Sequence, residues 1–267
     1  MGIFSNITGF FSQLRSDPAG TLITFVYMAV CILLSLILHE VAHGAMALRC
    51  GDATAKWLGR LTLDPRKHLD PLGTLCMVFL RVGWAKPVPI NPRNFRNYRR
   101  DYILVSLAGI MVNLALFLLS MLISALLAKA IWQPDLISYA AQTERKSMFL
   151  DIYHYNPANA VYGGDYAAWA DYSSSTVLMY VQRLFLMLAQ MNLGLAIFNL
   201  IPVPPLDGYR FVDEFVFRGR LAMNPQTMQI IHTVFLVVCI SGLLSGFLTT
   251  VNGAVFGAVS NLFALLI

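Results

Sequence analysis

The chain has 267 residues, of which 57% are hydrophobic and 12% are charged, and its mean hydropathy is +0.63. This composition is too apolar for a soluble domain, whose surface must be covered by polar side chains. Nucleic acid does not explain the formal net charge of +5, because the basic residues do not form a recognisable nucleic-acid-binding module. We therefore predict an all-α polytopic membrane protein, and we exclude nucleic acid as a partner.

The charge distribution predicts how the chain is oriented in the membrane. Eleven of the 19 Lys and Arg residues lie between Arg49 and Arg100, together with three acidic residues, whereas Gln133 to Ser174 contains two basic and five acidic residues. Loops rich in Lys and Arg tend to remain in the cytoplasm. The first of these loops is therefore predicted to be cytoplasmic and the second extracytoplasmic.

The apolar segments predict four or five transmembrane helices. Residues 1–18 are too short to span but carry apolar side chains at helical spacing, which indicates an interfacial segment or a partly ordered tail. The first three spans are predicted at 21–48, 102–131 and 175–201. Residues 227–267 lack Asp, Glu, Lys and Arg, and they allow one span plus a short or re-entrant helix.

A short apolar stretch, "TLCMVFL" at residues 74–80, follows the first span and cannot cross the bilayer. Irregular backbone at membrane depth is tolerated only where protein covers it or where it lines a water-filled cavity. We therefore predict a short extended or re-entrant segment that packs against the helices.

The inner end of the first predicted span carries the motif H-E-x-x-H, formed by His39, Glu40 and His43. A spacing of four places both imidazoles on one face of a helix, where they can bind one metal ion, and Glu40 can reach a water molecule beside them. Ionisable side chains inside a span cost about 2.5 to 3.5 kcal/mol each, so they are rarely placed there without partners. The alternative is that the histidines mark the helix end and that Glu40 pairs with an arginine.

A second polar cluster, "NLIPVPPLDG" from Asn199 to Gly208, is predicted at the same membrane level, because the third span runs inward and ends there. Its three prolines cannot continue a helix and should turn Asp207 back toward the histidines. Two histidines and one carboxylate are a zinc ligand set that leaves a fourth position for water. We predict one Zn²⁺ per chain, held by His39, His43 and Asp207, with Glu40 as the general base. Taken alone, Asp207 is equally well explained as a turn residue.

Three motifs follow one another along the chain: H-E-x-x-H, the A-G-x-x-x-N of "AGIMVN", and N-x-x-P followed by L-D-G. In this order they resemble the site-2 proteases, which are intramembrane zinc metallopeptidases. The stretches "GDATAKWLGRLTLDPRKHLDPLG" and "GWAKPVPINPRNF" resemble the compact bacterial and archaeal branch. The resemblance covers Leu22 to about Gly208. It implies a three-helix catalytic core and hydrolysis of peptide bonds in or beside the membrane. Many members have proline where this chain has Ile110, which leaves the local helix geometry open.

We predict a single membrane-embedded peptidase domain over residues 1–267, which comprises an interfacial segment at 1–18, a catalytic core at 19–208 and C-terminal helices at 209–267. The resemblance also implies a multi-pass protein of a prokaryotic cell membrane, and the predicted topology places its active site toward the cytoplasm. The expected partners are the lipid bilayer and a transmembrane or membrane-associated protein substrate. The sequence does not indicate an oligomeric state.

Three further polar residues are candidates for substrate contact. By the resemblance, Asn113 should face the active site and could bind a substrate backbone or the developing oxyanion, although an interhelical contact is an alternative. Asn199 either holds substrate or satisfies carbonyl groups that the prolines free. His68, beside Asp70 in "KHLDP", either contacts substrate or supports the site, or it forms a structural turn. The segment "WAKPVPI", residues 84–90, either pairs with an unwound substrate by strand addition or lies on the headgroups.

Two other functions are compatible with the same residues. In an ion or proton transporter, buried His, Glu and Asp would mark a pathway, but here they gather at one predicted level. In a membrane scaffold the metal site would serve binding alone, although an intact Glu40 argues against lost catalysis.

Overall fold

The structure is a computed structural model that describes residues 18–70, 85–143, 146–151, 173–221 and 223–267, together with positions 12, 14–16 and 73. Four helices in these residues are long and apolar enough to cross a membrane, and a fifth apolar helix is shorter. The described residues form no extended strands, which confirms the predicted all-α membrane fold. The predictions for 74–80 and for nearly all of 1–18 fall outside the described residues.

In chain order, the helices are α1 (Pro18–Arg49), α2 (Thr54–Trp57), α3 (Pro65–His68), α4 (Tyr98–Ile131), α5 (Pro134–Gln142), α6 (Met148–Asp151), α7 (Thr176–Asn199), α8 (Asp207–Val212), α9 (Pro225–Ser241) and α10 (Leu243–Ala264). A 3₁₀ turn at Pro92–Asn94 precedes α4, and a π-helical turn at Asp213–Phe217 follows α8. The candidate spans are α1, α4, α7 and α10.

The helix boundaries follow from local chemistry. The helix α4 begins at Tyr98, four residues before the predicted start, because Asp101 accepts a hydrogen bond from the backbone N–H of Asn97 and so stabilises a polar first turn. It then continues without interruption past Ile110, so isoleucine in place of proline leaves a regular helix. The helix α7 ends at Asn199, three residues before Pro202, as the prolines require.

The end of the chain forms two helices, as the sequence allows. The helix α9 has 17 residues and α10 has 22. Gly242 separates them with a φ angle of +80°, a left-handed conformation that glycine adopts without steric cost.

The contacts divide the chain into two compact units. The first unit includes Leu33–Leu114 and Gly194–Thr249, and the second includes Ala115–Leu193 and Thr250–Ile267 with part of α1. In the second unit, the buried side chain of Gln182 donates hydrogen bonds to the carbonyl groups of Ser124 and Phe149. These bonds satisfy a polar group inside α7.

Asp52 organises the loop that follows α1 in the first unit. Its buried carboxylate accepts hydrogen bonds from Thr54, from the backbone N–H of Asn91 at 2.7 Å and from the side-chain amide of Asn94 at 2.9 Å. Burial alone would raise the pKa of Asp52, but these bonds outweigh it and lower the pKa below its usual value. Asp52 therefore anchors Asn91, the last residue of the segment 85–91, to the loop that follows α1.

Candidate metal centre

Three buried side chains of the first unit converge on one point. The Nε2 atoms of His39 and His43 are 3.1 Å apart, and Asp207 Oδ2 lies 3.2 Å from the first and 3.0 Å from the second. All three residues are at most 7% exposed. The helix α1 supplies both histidines from one face, and α8 supplies Asp207 at its first residue. The structure thus brings together the three residues that the sequence proposes as metal ligands.

The spacing of these atoms fits a tetrahedral zinc site. Ligand atoms that lie 2.0 to 2.1 Å from zinc in a tetrahedron are roughly 3.3 Å apart, close to the observed separations of 3.0 to 3.2 Å. Burial opposes ionisation of Asp207, but contacts with His39 and His43 outweigh burial and hold the pKa of its carboxyl well below the usual range. A carboxylate that binds a metal must be ionised, and this direction of the pKa is compatible with that role.

Each histidine also has a partner at its second ring nitrogen. His43 Nδ1 lies 2.7 Å from the carbonyl oxygen of Val105, so Nδ1 carries the proton and Nε2 is free to bind a metal. Asn113 Nδ2 lies 3.2 Å from His39 Nδ1, while its own Oδ1 is buried and has no hydrogen-bond partner among the described residues. Rotating this amide by half a turn would let Oδ1 accept the Nδ1 proton of His39.

Gly109 explains how α4 can approach the histidines so closely. A Cβ atom at this position would lie within 3.0 Å of ring atoms of both His39 and His43, a distance that real Cβ contacts essentially never show. Only glycine therefore allows this helix to pack against the ligand face of α1. This gives the glycine of "AGIMVN" a steric role, and the asparagine of the same motif contacts His39 one helical turn later.

Glu40 is held by backbone from a distant part of the chain. Its Oε2 accepts a hydrogen bond of 2.8 Å from the backbone N–H of Val88. Pro87 and Pro89 have no backbone N–H, so Val88 provides the sole backbone donor in residues 87–89. This bond fixes one carboxylate oxygen and leaves the other to act as a proton acceptor.

The segment 85–91, which we call the strap, is held at several points. Arg60 Nη2 donates hydrogen bonds to the carbonyl groups of Lys86 at 2.8 Å and Pro87 at 3.1 Å. The backbone N–H of Lys86 donates to the carbonyl of His68, next to an antiparallel bridge between Leu69 and Ala85. The strap is therefore a fixed, non-helical wall beside Glu40, where the sequence predicts a proline-punctuated segment.

A cleft of about 540 Å³ opens beside these groups, within the usual range of ligand pockets of about 300 to 1,000 Å³. The metal-ligand residues, Glu40 and four strap residues all line it. Tyr102, Ser106, Asn199 and Arg210 also contribute polar side chains to the lining. The cleft can therefore hold a peptide segment against the ligand cluster.

The structure separates the three secondary candidates. Asn199 lines the cleft, and its side-chain amide donates a hydrogen bond to the carbonyl of Leu195 in its own helix. Asn113 lies behind His39 and is not among the residues that line the cleft. His68 is 1% exposed, and its Nε2 lies 2.8 Å from the carbonyl oxygen of Thr62, also away from the cleft lining.

Comparisons with known proteins agree with this geometry. The profile described as peptidase family M50 matches residues 27–242. The chain is 34% identical over 217 residues to "Putative zinc metalloprotease YwhC" of Bacillus subtilis, which covers 81% of each chain. It is 28% identical over 247 residues to "Putative zinc metalloprotease Rip2" of Mycobacterium tuberculosis, covering 90% of this chain and 74% of the relative. No solved structure matches the chain.

The fold and the site thus define a multi-pass membrane metalloprotease with a buried His-His-Asp group suited to zinc. The chain belongs to peptidase family M50, the site-2 protease family, as its three sequence motifs predict.

Sequence patterns alone did not identify several residues of the site. The sequence could have indicated Val88, because a residue between two prolines is the sole local backbone N–H donor. It could also have indicated Arg210, which lies one helical turn after Asp207 and therefore on the same side of the helix. It could not have indicated the carbonyl of Val105, because backbone that contacts a side chain 62 residues away leaves no pattern in the sequence.

Replacing Gly109 with alanine should displace the metal. The added methyl group collides with both imidazoles. We therefore expect Gly109→Ala to bind zinc at least tenfold more weakly, which is the size of effect typical for changes to groups that support metal ligands. Metal content after equilibration with a chelator measures this. The matched control is Gly257→Ala on α10, where a Cβ atom meets nothing within 4 Å. Equal zinc affinity in both variants would contradict the steric role.

Proposed function

We propose that this chain is an intramembrane zinc endopeptidase that cuts transmembrane or membrane-associated proteins near the cytoplasmic side of the bilayer. The observation that supports it best is the cleft, which is lined both by three buried potential metal ligands and by Glu40. Both histidines belong to a helix of 32 residues, about 48 Å long, that can cross a membrane. A substrate helix must unwind locally, because its hydrogen bonds otherwise shield the peptide bond.

We assign the chemistry to His39, His43, Asp207 and Glu40. Zinc, when held by the first three, supplies a Lewis acid that polarises a carbonyl group and acidifies water. Glu40 takes the proton from the attacking water and passes it to the leaving amine nitrogen. The N–H of Val88 orients the Glu40 carboxylate for this transfer. His43 keeps Nε2 available because its Nδ1 proton is donated to the carbonyl of Val105.

The secondary candidates take different parts in this proposal. Asn199 lines the cleft and binds the substrate backbone or the developing oxyanion. Asn113 supports His39 from behind, in place of the substrate contact that the resemblance implies. His68 acts indirectly, because its backbone carbonyl anchors the strap through Lys86.

The strap is the proposed docking edge for unwound substrate. Ala85, Pro87, Val88 and Ile90 all line the cleft, next to Glu40. An extended peptide laid along this edge would bring its carbonyl groups past the ligand cluster. The contacts of Arg60 and Asp52 keep the edge in place before substrate arrives, which lowers the entropic cost of binding.

Replacing Glu40 with glutamine tests the proposed chemistry. Glutamine cannot accept the proton, so we expect cleavage of a single-span substrate in liposomes to fall at least a hundredfold, in the range of lost general-base catalysis. Bound zinc should remain near one per chain, because Glu40 is not a ligand. Cleavage is followed by the appearance of two fragments of the substrate.

The matched control is Glu214→Gln, which changes a buried glutamate that does not line the cleft. Its cleavage rate should stay within about twofold of the unmodified protein. Unchanged cleavage by Glu40→Gln would refute the proposed base. Bound zinc without any cleavage by the unmodified protein would favour a scaffold.

The orientation of the chain is tested by labelling engineered cysteines in a cysteine-free background. Lys56→Cys lies in the basic loop and Ala141→Cys lies in the acidic one, and both positions are exposed. Because basic loops remain in the cytoplasm, a membrane-impermeant maleimide should label position 141 in intact cells and position 56 only after permeabilisation. The reverse pattern would place the active site on the outer side.

A further inference from the structure

Arg210 is a cationic group in the cleft that the proposed chemistry does not use. It lies one turn after Asp207 in α8, is exposed, and lines the same cleft as Glu40. Among the described residues, its guanidinium makes no hydrogen bond and has no carboxylate within 4.0 Å. A flexible cation with five N–H donors therefore faces the substrate space.

The other arginines near the site have structural partners. Arg60 donates to carbonyl groups of the strap. Arg99 donates to the carbonyl groups of Glu214 and Phe215 within the π-helical turn. Arg210 lacks such a contact within the described part of the chain, so holding the fold together does not explain its place in the cleft.

Neighbouring acidic side chains form no ion pair with Arg210 in the described part of the chain. Asp207 is engaged by both histidines. Asp213 accepts a hydrogen bond from the backbone N–H of Leu221, and Glu214 is buried away from the cleft lining. A divalent cation in the ligand cluster would offset the charges of Asp207 and Glu40. Arg210 would then be the remaining charged side chain among the described residues that line the cleft.

We propose that Arg210 is a specificity-determining residue that binds an acidic side chain of the substrate close to the cleaved bond. This inference rests on the proposed function, and it deepens it by naming the substrate class. A guanidinium binds a carboxylate through two parallel hydrogen bonds, which gives orientation as well as attraction. Its exposed position suits a substrate side chain better than an oxyanion, which requires fixed and buried donors.

The same charge discriminates against most membrane proteins. Cytoplasmic flanks of transmembrane helices are enriched in Lys and Arg. A cation in the cleft repels such flanks and accepts acidic ones, so it combines attraction to the correct substrate with rejection of the common alternative. Arg210 thereby restricts cleavage to membrane proteins whose cytoplasmic flank is unusually acidic.

The test uses one single-span substrate made in three versions, in which a position close to the cleaved bond carries Glu, Gln or Lys. Binding is measured first with zinc-loaded Glu40→Gln protein, which holds substrate without cutting it. The kinetic constants kcat and KM are then measured for the unmodified protein and for Arg210→Gln, Arg210→Glu and Arg210→Lys. Arg220→Gln is the matched control, because it removes one exposed positive charge outside the cleft lining.

We expect the Glu substrate to bind about tenfold more tightly than the Lys substrate, since charge pairs of this kind control specificity. Arg210→Gln should remove most of this difference through KM, with kcat within about twofold. Arg210→Glu should reverse the preference, Arg210→Lys should retain it in part, and Arg220→Gln should leave it intact.

Two results would overturn the inference. One is that the unmodified protein binds the Glu, Gln and Lys substrates equally tightly. The other is a fall in kcat for Arg210→Gln that is the same with every substrate, which would make Arg210 part of the reaction itself. Selective binding of the Glu substrate without any cleavage would contradict the proposed function while supporting the subsite.

Discussion

The structure depends on the convergence of two imidazoles and one carboxylate at the end of an apolar helix. The Nε2 atoms of His39 and His43 and the Oδ2 atom of Asp207 lie about 3 Å from one another, although Asp207 is 164 residues beyond His43 in the chain. Three such groups are costly to bury unless they satisfy each other or share a metal ion. The neighbouring elements are arranged to allow this contact. Glycine lets α4 approach, and the prolines after α7 return the chain so that α8 begins at Asp207.

Around this cluster, backbone groups orient the reactive side chains. The carbonyl of Val105 sets the proton position in His43, and the N–H of Val88 holds Glu40. Backbone donors and acceptors cannot rotate away as side chains can, so the groups are prepared before substrate arrives. The strap combines two tasks, because it holds the Glu40 carboxylate and forms a wall of the cleft. Arg60 and Asp52, both outside the cleft lining, stabilise that wall.

Much of this architecture could be predicted from sequence, because it rests on short patterns. The spacing of His39 and His43 placed both on one helical face, the apolar runs gave the spans, and the prolines predicted the turn before Asp207. Long-range contacts could not be predicted in the same way. The approach of Val88 to Glu40 depends on a sequence separation of 48 residues, and no periodicity encodes it. The polar first turn of α4 was missed because hydropathy reports only the apolar part of a helix.

Metal-dependent hydrolysis is the central claim, and mass spectrometry in ¹⁸O-labelled water tests it most directly. The protein is reconstituted in liposomes with a single-span substrate, stripped of metal by a chelator and then reloaded with zinc. The account predicts no product without metal and, after reloading, two fragments of which the new carboxyl terminus carries one ¹⁸O atom. Fragments produced by the metal-free protein, or an intact substrate after zinc is bound, would contradict it.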